Sequence, residues 1–235
     1  MTDTDIENLL EQTGRLLDIY DQFSPVQDDR IFLPDAVKQT VLAMAEFIIG
    51  NDSEAVALKG WMERSGFWTS PASTRFHGNF RNGLALHTLA VIHQSLVFTE
   101  PVIRNFACAR PDSGYVITAE DIFVSALAHD FCKAGVYMVE YRNTKDISGN
   151  WIKQPYFKTR PDARNLGHGN ESVLLLLESM PSFIGRRPVL EAVSRHMGFS
   201  DLSESESYNY SNFLQNPLVV LLQLADQTAA NWFNC

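Results

Sequence analysis

The stretch "SALAHDFCKAGVY", running from Ser125 to Tyr137, sets His129 beside Asp130 inside an apolar run, with Lys133 three residues on. A carboxylate taken out of water without compensation costs several kcal/mol. Two other apolar segments carry the same oddity: His87 in "LALHTLA" and Asp226 in "LQLADQTAA". Each residue alone has an ordinary explanation. His87 could be a satisfied core histidine, Asp226 could cap backbone, and Asp130 could pair with Lys133 or an arginine. The joint pattern asks for more, because three separate apolar segments each turn a metal-ligand type inward. A cation would offset the charge and the desolvation together. Imidazoles and carboxylates without thiolates suit one or two divalent ions of Fe, Mn, Ni or Zn, with Mg a further candidate.

Those side chains need helices to present them. Ile6, Leu9, Leu10, Thr13, Leu16, Leu17 and Tyr20 recur at helical spacing and predict an opening amphipathic helix. "SPVQDDRIFLP" breaks it, and a second helix is expected from Asp35 to Ile49. Asn51 caps a third that reaches about Ser65. "FWTSPASTRFHGNFRNG" reads as a loop, Gly83–Phe98 as a helix with His87 between Leu84 and Val91, and "ACARPDSGYVIT" as a second loop. Thr118 is the expected cap of a helix over Thr118–Val136, on which Ile122, Ala126, His129, Asp130 and Lys133 share a face. Turn residues around "NWIK" and "YFKT" predict a small β-hairpin at about 150–159, weakened by Pro155. Helices resume at Gly169–Met180, Arg186–Met197 and Pro217–Trp232, and "SDLSESESYNYSN" is an acidic surface loop. The expected fold class is all-α, a compact multi-helix bundle. An N-terminal helical extension over 1–66 packs on a core over 67–235, as one continuous globular unit.

Composition limits the rest. At 235 residues, 45% hydrophobic and 20% charged, the chain can bury a sizeable core. The longest apolar runs, "VLLLLE" and "LVVLLQLA", are too short to cross a bilayer, and the acidic start lacks signal-peptide regions. Cys108, Cys132 and Cys235 form no CxxC pair, which points to a reducing, cytoplasmic setting. A net charge of −9 argues against gripping extended nucleic acid, but leaves room for a small anionic substrate met by local cations. Arg75, Arg81 and Lys133 are the candidate cations. The N-terminal helices could cover the site or form a homodimer contact.

In their order, "LALHTLA", "LAHDFCKAG" and "LQLADQTAA" resemble the H…HD…D signature of the HD-domain superfamily of metal-dependent phosphohydrolases, over roughly Arg75 to Trp232. "NLGHGNESVLLLLE" and "VLEAVSRHMGF" add His168 and His196, which look like the extra histidines of the dinuclear H…HD…H…H…D subgroup. The "GHG…SV" and "RHMG" strings are similar to those of uncharacterised bacterial and phage HD-domain proteins. The resemblance implies that His87, His129, Asp130 and Asp226 hold one ion, and that Asp130 bridges to a second held by His168 and His196. It also implies that Lys133 contacts the substrate, while Arg75, His77 and Arg81 could orient a phosphate. His93 lies off the His87 face, and Cys132 is assigned to packing.

The implied activity is hydrolysis of a small phosphate ester, such as a nucleotide or cyclic nucleotide, by metal-activated water. Mixed-valent di-iron oxygenases of the same superfamily use the same six ligands and form the rival expectation. A metal-stabilised regulatory module is the third.

Overall fold

The computed structural model describes residues 1–25, 32–163 and 166–233. Most of the break expected over 24–34 and the third cysteine, Cys235, lie outside them. Three helices open the chain: α1 (Asp3–Phe23), α2 (Pro34–Ile48) and α3 (Asp52–Arg64). Their starts follow from local chemistry. Thr2 and Asp5 form a reciprocal capping box on α1, Pro34 opens α2, and the Asn51 side chain accepts from the Ser53 and Glu54 amides.

The bundle continues with α4 (Gly83–Ala109) and α5 (Ala119–Ala128). The helix expected to end at Phe98 runs through Pro101 to Ala109. Proline removes one hydrogen bond from a helix. Here Pro101 and Val97, whose carbonyl loses its donor, both lie on the solvent face, where water can replace the partner. The helix expected to reach Val136 instead stops at Ala128, and a 3-10 turn follows over Phe131–Lys133. Thr118 caps α5 as anticipated, in a box with Asp121, whose carboxylate also accepts from Arg186.

A two-stranded antiparallel sheet follows, β1 (Tyr137–Lys145) and β2 (Trp151–Thr159). The hairpin is thus larger than the one expected: 150–159 forms a single strand, and its partner comes from the residues before it. Pro155 sits opposite Tyr141 without ending the ladder, since a two-stranded sheet has only edge strands. Next come α6 (His168–Ser179), α7 (Arg187–Arg195), the one-turn helices α8 (Glu204–Ser207) and α9 (Tyr210–Phe213), and α10 (Pro217–Trp232). The expected acidic loop therefore contains two short helices, and Tyr210 within it is buried.

The chain is mostly helical, with one small hairpin among the described residues. One hydrophobic cluster runs from Ile6 and Leu16 through Leu58, Leu89 and Phe131 to Leu222 and Ala229, on both sides of residue 66. Polar links add to it: Arg104 on α4 reaches Glu7 on α1 at 3.0 Å, and Glu54 on α3 accepts from the Ser182 amide at 2.8 Å and hydroxyl at 2.6 Å. Among the described residues, no helix is long and apolar enough to cross a membrane.

Candidate metal centre

Four imidazoles and two carboxylates meet where α4, α5, α6, α7 and α10 come together. His87 lies one turn into α4 and is fully buried among Leu84, Val91 and their neighbours. His129 and His196 occupy equivalent positions, each the residue that closes a helix, α5 and α7 respectively. Each donates Nδ1–H to the carbonyl three residues back, His129 to Ala126 and His196 to Val193, both at 2.7 Å. Helix C-termini leave carbonyls without intrahelical donors, so the imidazole satisfies one of them. The same bond leaves Nε2 as the free nitrogen in the neutral ring and points it into the cluster.

Asp130 stands at the centre and its two oxygens face different histidines. Oδ2 lies 3.4 Å from His87 Nε2, 3.4 Å from His129 Nε2 and 2.6 Å from Lys133 Nζ. Oδ1 lies 2.6 Å from His168 Nε2 and 3.6 Å from His196 Nε2. On the first side, His87 Nε2 is also 3.2 Å from Asp226 Oδ1 and 3.2 Å from His129 Nε2.

Glycines permit this convergence. A Cβ on Gly169, the residue after His168, would strike the Ser194 carbonyl of α7, so only glycine lets α6 bring His168 up to His196. Likewise a Cβ on Gly83 would overlap the Gly78 carbonyl, so glycine there seats the 70–82 loop on the start of α4. The His77 ring in that loop packs on His87 with centroids 4.7 Å apart.

The electrostatics call for a cation. Burial pushes His129 down, so it is neutral with a lone pair on Nε2, yet that nitrogen faces His87 Nε2. Burial would also lower His87, but hydrogen bonds and charge from Asp130 and Asp226 override it and push it up to about 9. A proton on His87 is one cation that can bridge this gap, and a divalent metal is the other. Against their burial, Lys133 holds Asp130 well below the usual carboxylate range, and His87 does the same for Asp226. His196 Nε2 carries the clearest signal of all: it is buried and has no hydrogen-bond partner. An orphaned buried nitrogen of this kind costs free energy unless something binds it. The donor set fits metal ions, with His87, His129 and Asp226 gathered on one side and Asp130 and His168 on the other.

Cys132, assigned to packing, is buried beside Asp130. Its amide donates to Ser172 Oγ at 3.2 Å, and its sulfur falls within the Asp130–His168 group. Burial, with the Asp130 charge beside it, pushes the thiol up to about 12. Lys133 is nearly buried against Asp130, and Tyr137, at the start of β1, lies close enough to feel the Lys133 and Asp130 charges. The other candidates are further out. Arg75 lines a groove beside the hairpin, whereas Arg81 is exposed and lines neither the groove nor the cluster. His77 borders the cluster, and its burial next to His87 and Lys133 pushes it down to about 4. His93 is half-buried away from the site and stacks on Tyr20 at 4.3 Å. The groove residues Arg142, Tyr156 and Lys158 escaped the sequence reading, although the cations and aromatics alternating along "YFKT" and "EYRNTK" were available as a signal.

No family model, curated protein or solved structure matches this chain. The metal assignment therefore rests on the geometry of its own side chains.

Proposed function

We propose that this protein is a metal-dependent phosphohydrolase of the HD-domain type, with a dinuclear centre acting on a small phosphate ester of the nucleotide class. The observation that carries the reading is the division of Asp130: one oxygen serves His87 and His129, the other His168 and His196. A single carboxylate between two imidazole pairs is what a bridge between two ions requires. Asp226 adds the remaining donor on the first side. When bound, a pair of divalent ions supplies Lewis-acid charge and acidifies water.

The chain's own residues account for the rest. Lys133 Nζ holds Asp130 Oδ2 at 2.6 Å, and Asp130 keeps the amine protonated despite its burial. The ammonium is therefore a fixed positive charge rather than a proton donor. It can donate a hydrogen bond to a phosphoryl oxygen and offset charge that builds as water attacks phosphorus and the ester P–O bond breaks. His77 borders the cluster, neutral, with a buried Nε2 that lacks a hydrogen-bond partner. Arg75 stands two residues away, in the same loop.

The test is metal quantification on protein purified from cells, followed by a panel of bis(p-nitrophenyl) phosphate, nucleotides and cyclic nucleotides with the preferred metal. Hydrolysis is expected, and Asp130→Ala should abolish it while circular dichroism shows a folded chain. A folded Asp130→Ala variant with full metal content and full activity would overturn the proposal. So would a mixed-valent iron signal by EPR with substrate-dependent O₂ uptake and no ester hydrolysis. Metal binding with no turnover of any kind would instead leave a metal-stabilised module.

A further inference from the structure

We infer that the groove beside the metal centre holds a short single strand of nucleic acid, so that the ester presented to the site belongs to an oligonucleotide rather than to a mononucleotide. This rests on the phosphohydrolase reading of the same site. The groove lies between the 74–80 loop and the β1–β2 hairpin, is open to solvent along its length, and has a volume of about 1290 Å³. Sites that enclose one small molecule measure roughly 300–1,000 Å³.

Its walls combine two chemistries. Arg75, Arg142 and Lys158 supply cations, Lys158 also pairing with Glu140 at 3.1 Å, while Phe80, Phe157 and Tyr156, whose hydroxyl donates to Glu140 at 2.7 Å, supply rings. The hairpin as a whole carries four cations (Arg142, Lys145, Lys153, Lys158) against two carboxylates (Glu140, Asp146), in a chain of net charge −9. Arg142 lies over the Tyr156 ring, 5.6 Å from its centroid, and Phe76, next to Arg75, is 80% exposed. A polyphosphate or an acidic peptide would need only the charge. Bases need π faces and a sugar–phosphate backbone needs cations, and single-strand sites supply both along one track. The acidic remainder of the surface confines such contact to this groove, which is why the net charge speaks against long duplexes but not against a short strand.

The groove borders the site along the chain. Arg75 and Phe80 flank His77, whose ring packs on His87 and whose Nε2 is buried without a hydrogen-bond partner. On the opposite wall, β1 begins four residues after Lys133. One end of the groove, at Thr159, pairs with Tyr137 and so lies four residues along the chain from Lys133.

The test uses the wild-type protein in EDTA, to block turnover, with fluorescein-labelled DNA and RNA strands of increasing length, read by anisotropy. The Kd is expected to fall about tenfold or more from a dinucleotide to a hexanucleotide. With three cations engaged, log K should fall with log salt at a slope of about −2. Inorganic polyphosphate of equal charge should compete only at much higher concentration. Tyr156→Ala and Arg142→Ala, each checked for folding by circular dichroism, should weaken hexanucleotide binding about tenfold. In the metal-loaded enzyme they should lower kcat/KM for the hexanucleotide, relative to bis(p-nitrophenyl) phosphate, by the same factor. Length-independent binding, or polyphosphate competing as well as the strand, would overturn the inference. Length-dependent binding without hydrolysis of any ester would uphold the groove and remove the phosphohydrolase reading. Hydrolysis of small esters with no preference for strands would do the reverse.

Discussion

His129 and His196 use one device at two places: a histidine closes a helix, spends Nδ1 on the carbonyl three residues back, and turns Nε2 inward. Their partners differ, and that difference sets a test. His129 Nε2 has His87 and Asp130 nearby, whereas His196 Nε2 has no hydrogen-bond partner. His196→Ala should therefore lower metal content by about one ion per chain, measured by inductively coupled plasma mass spectrometry, while the His87–His129–Asp226 side keeps its ion. Retention of two ions by this variant would remove His196 from the centre. Lys133 makes a separable prediction. Because it touches Asp130 through its ammonium and offers no lone pair, Lys133→Ala should leave metal content unchanged and lower kcat by roughly 10²–10³-fold. A loss of metal in this variant would recast Lys133 as a support for the ligands.

At the scale of elements, the centre depends on how closely α6 and α7 approach. Gly169 meets the Ser194 carbonyl with no room for a methyl group, and Asn170 Oδ1 accepts from Ser194 Oγ at 2.7 Å across the same contact. Gly169→Ala must push the helices apart. Overpacking of this kind costs about 1–3 kcal/mol, and a loss of 1 kcal/mol lowers Tm by about 2–4 °C in a chain of this size. The variant should melt lower by that measure in a thermal scan. It should also bind metal more weakly in a chelator competition, because His168 rides on the displaced helix. An unchanged Tm with weakened metal binding would mean that α6 rotates rather than separates.

Across the whole molecule, the cluster draws on residues from His87 to Asp226, so ions bound there tie the bundle together. A ligand that binds only the folded state at about 100 times its Kd adds about 2.7 kcal/mol. For a chain of this length that corresponds to roughly 5–11 °C in Tm. Dialysis against a chelator should lower the melting midpoint by this amount, and restoring the metal should recover it. No shift in either direction would count against metal at this site.

The sequence by itself determined much of this protein. Helical spacing of apolar residues, the caps at Thr2, Asn51 and Thr118, and polar ligand types stranded in apolar runs are all local signals. They suffice for an all-α bundle with a small hairpin and for the candidates His87, His129, Asp130 and Asp226. His196 shares the helix face of Val189, Ala192 and Val193, but its role as a ligand, like that of His168, follows from the resemblance to known strings. Other features were decided only by tertiary structure. The end of α5 at Ala128, the passage of α4 through Pro101 and the recruitment of Tyr137–Lys145 into a strand depend on what packs or pairs against them. So do the placement of Cys132 beside Asp130, the seating of His77 on His87, and the groove that joins Arg75 to Arg142 and Tyr156. The physical reason is range. Spacings of three and four residues report which side of one helix faces inward, but the division of Asp130 between two imidazole pairs is a distance between side chains up to 66 positions apart, and close packing alone sets it.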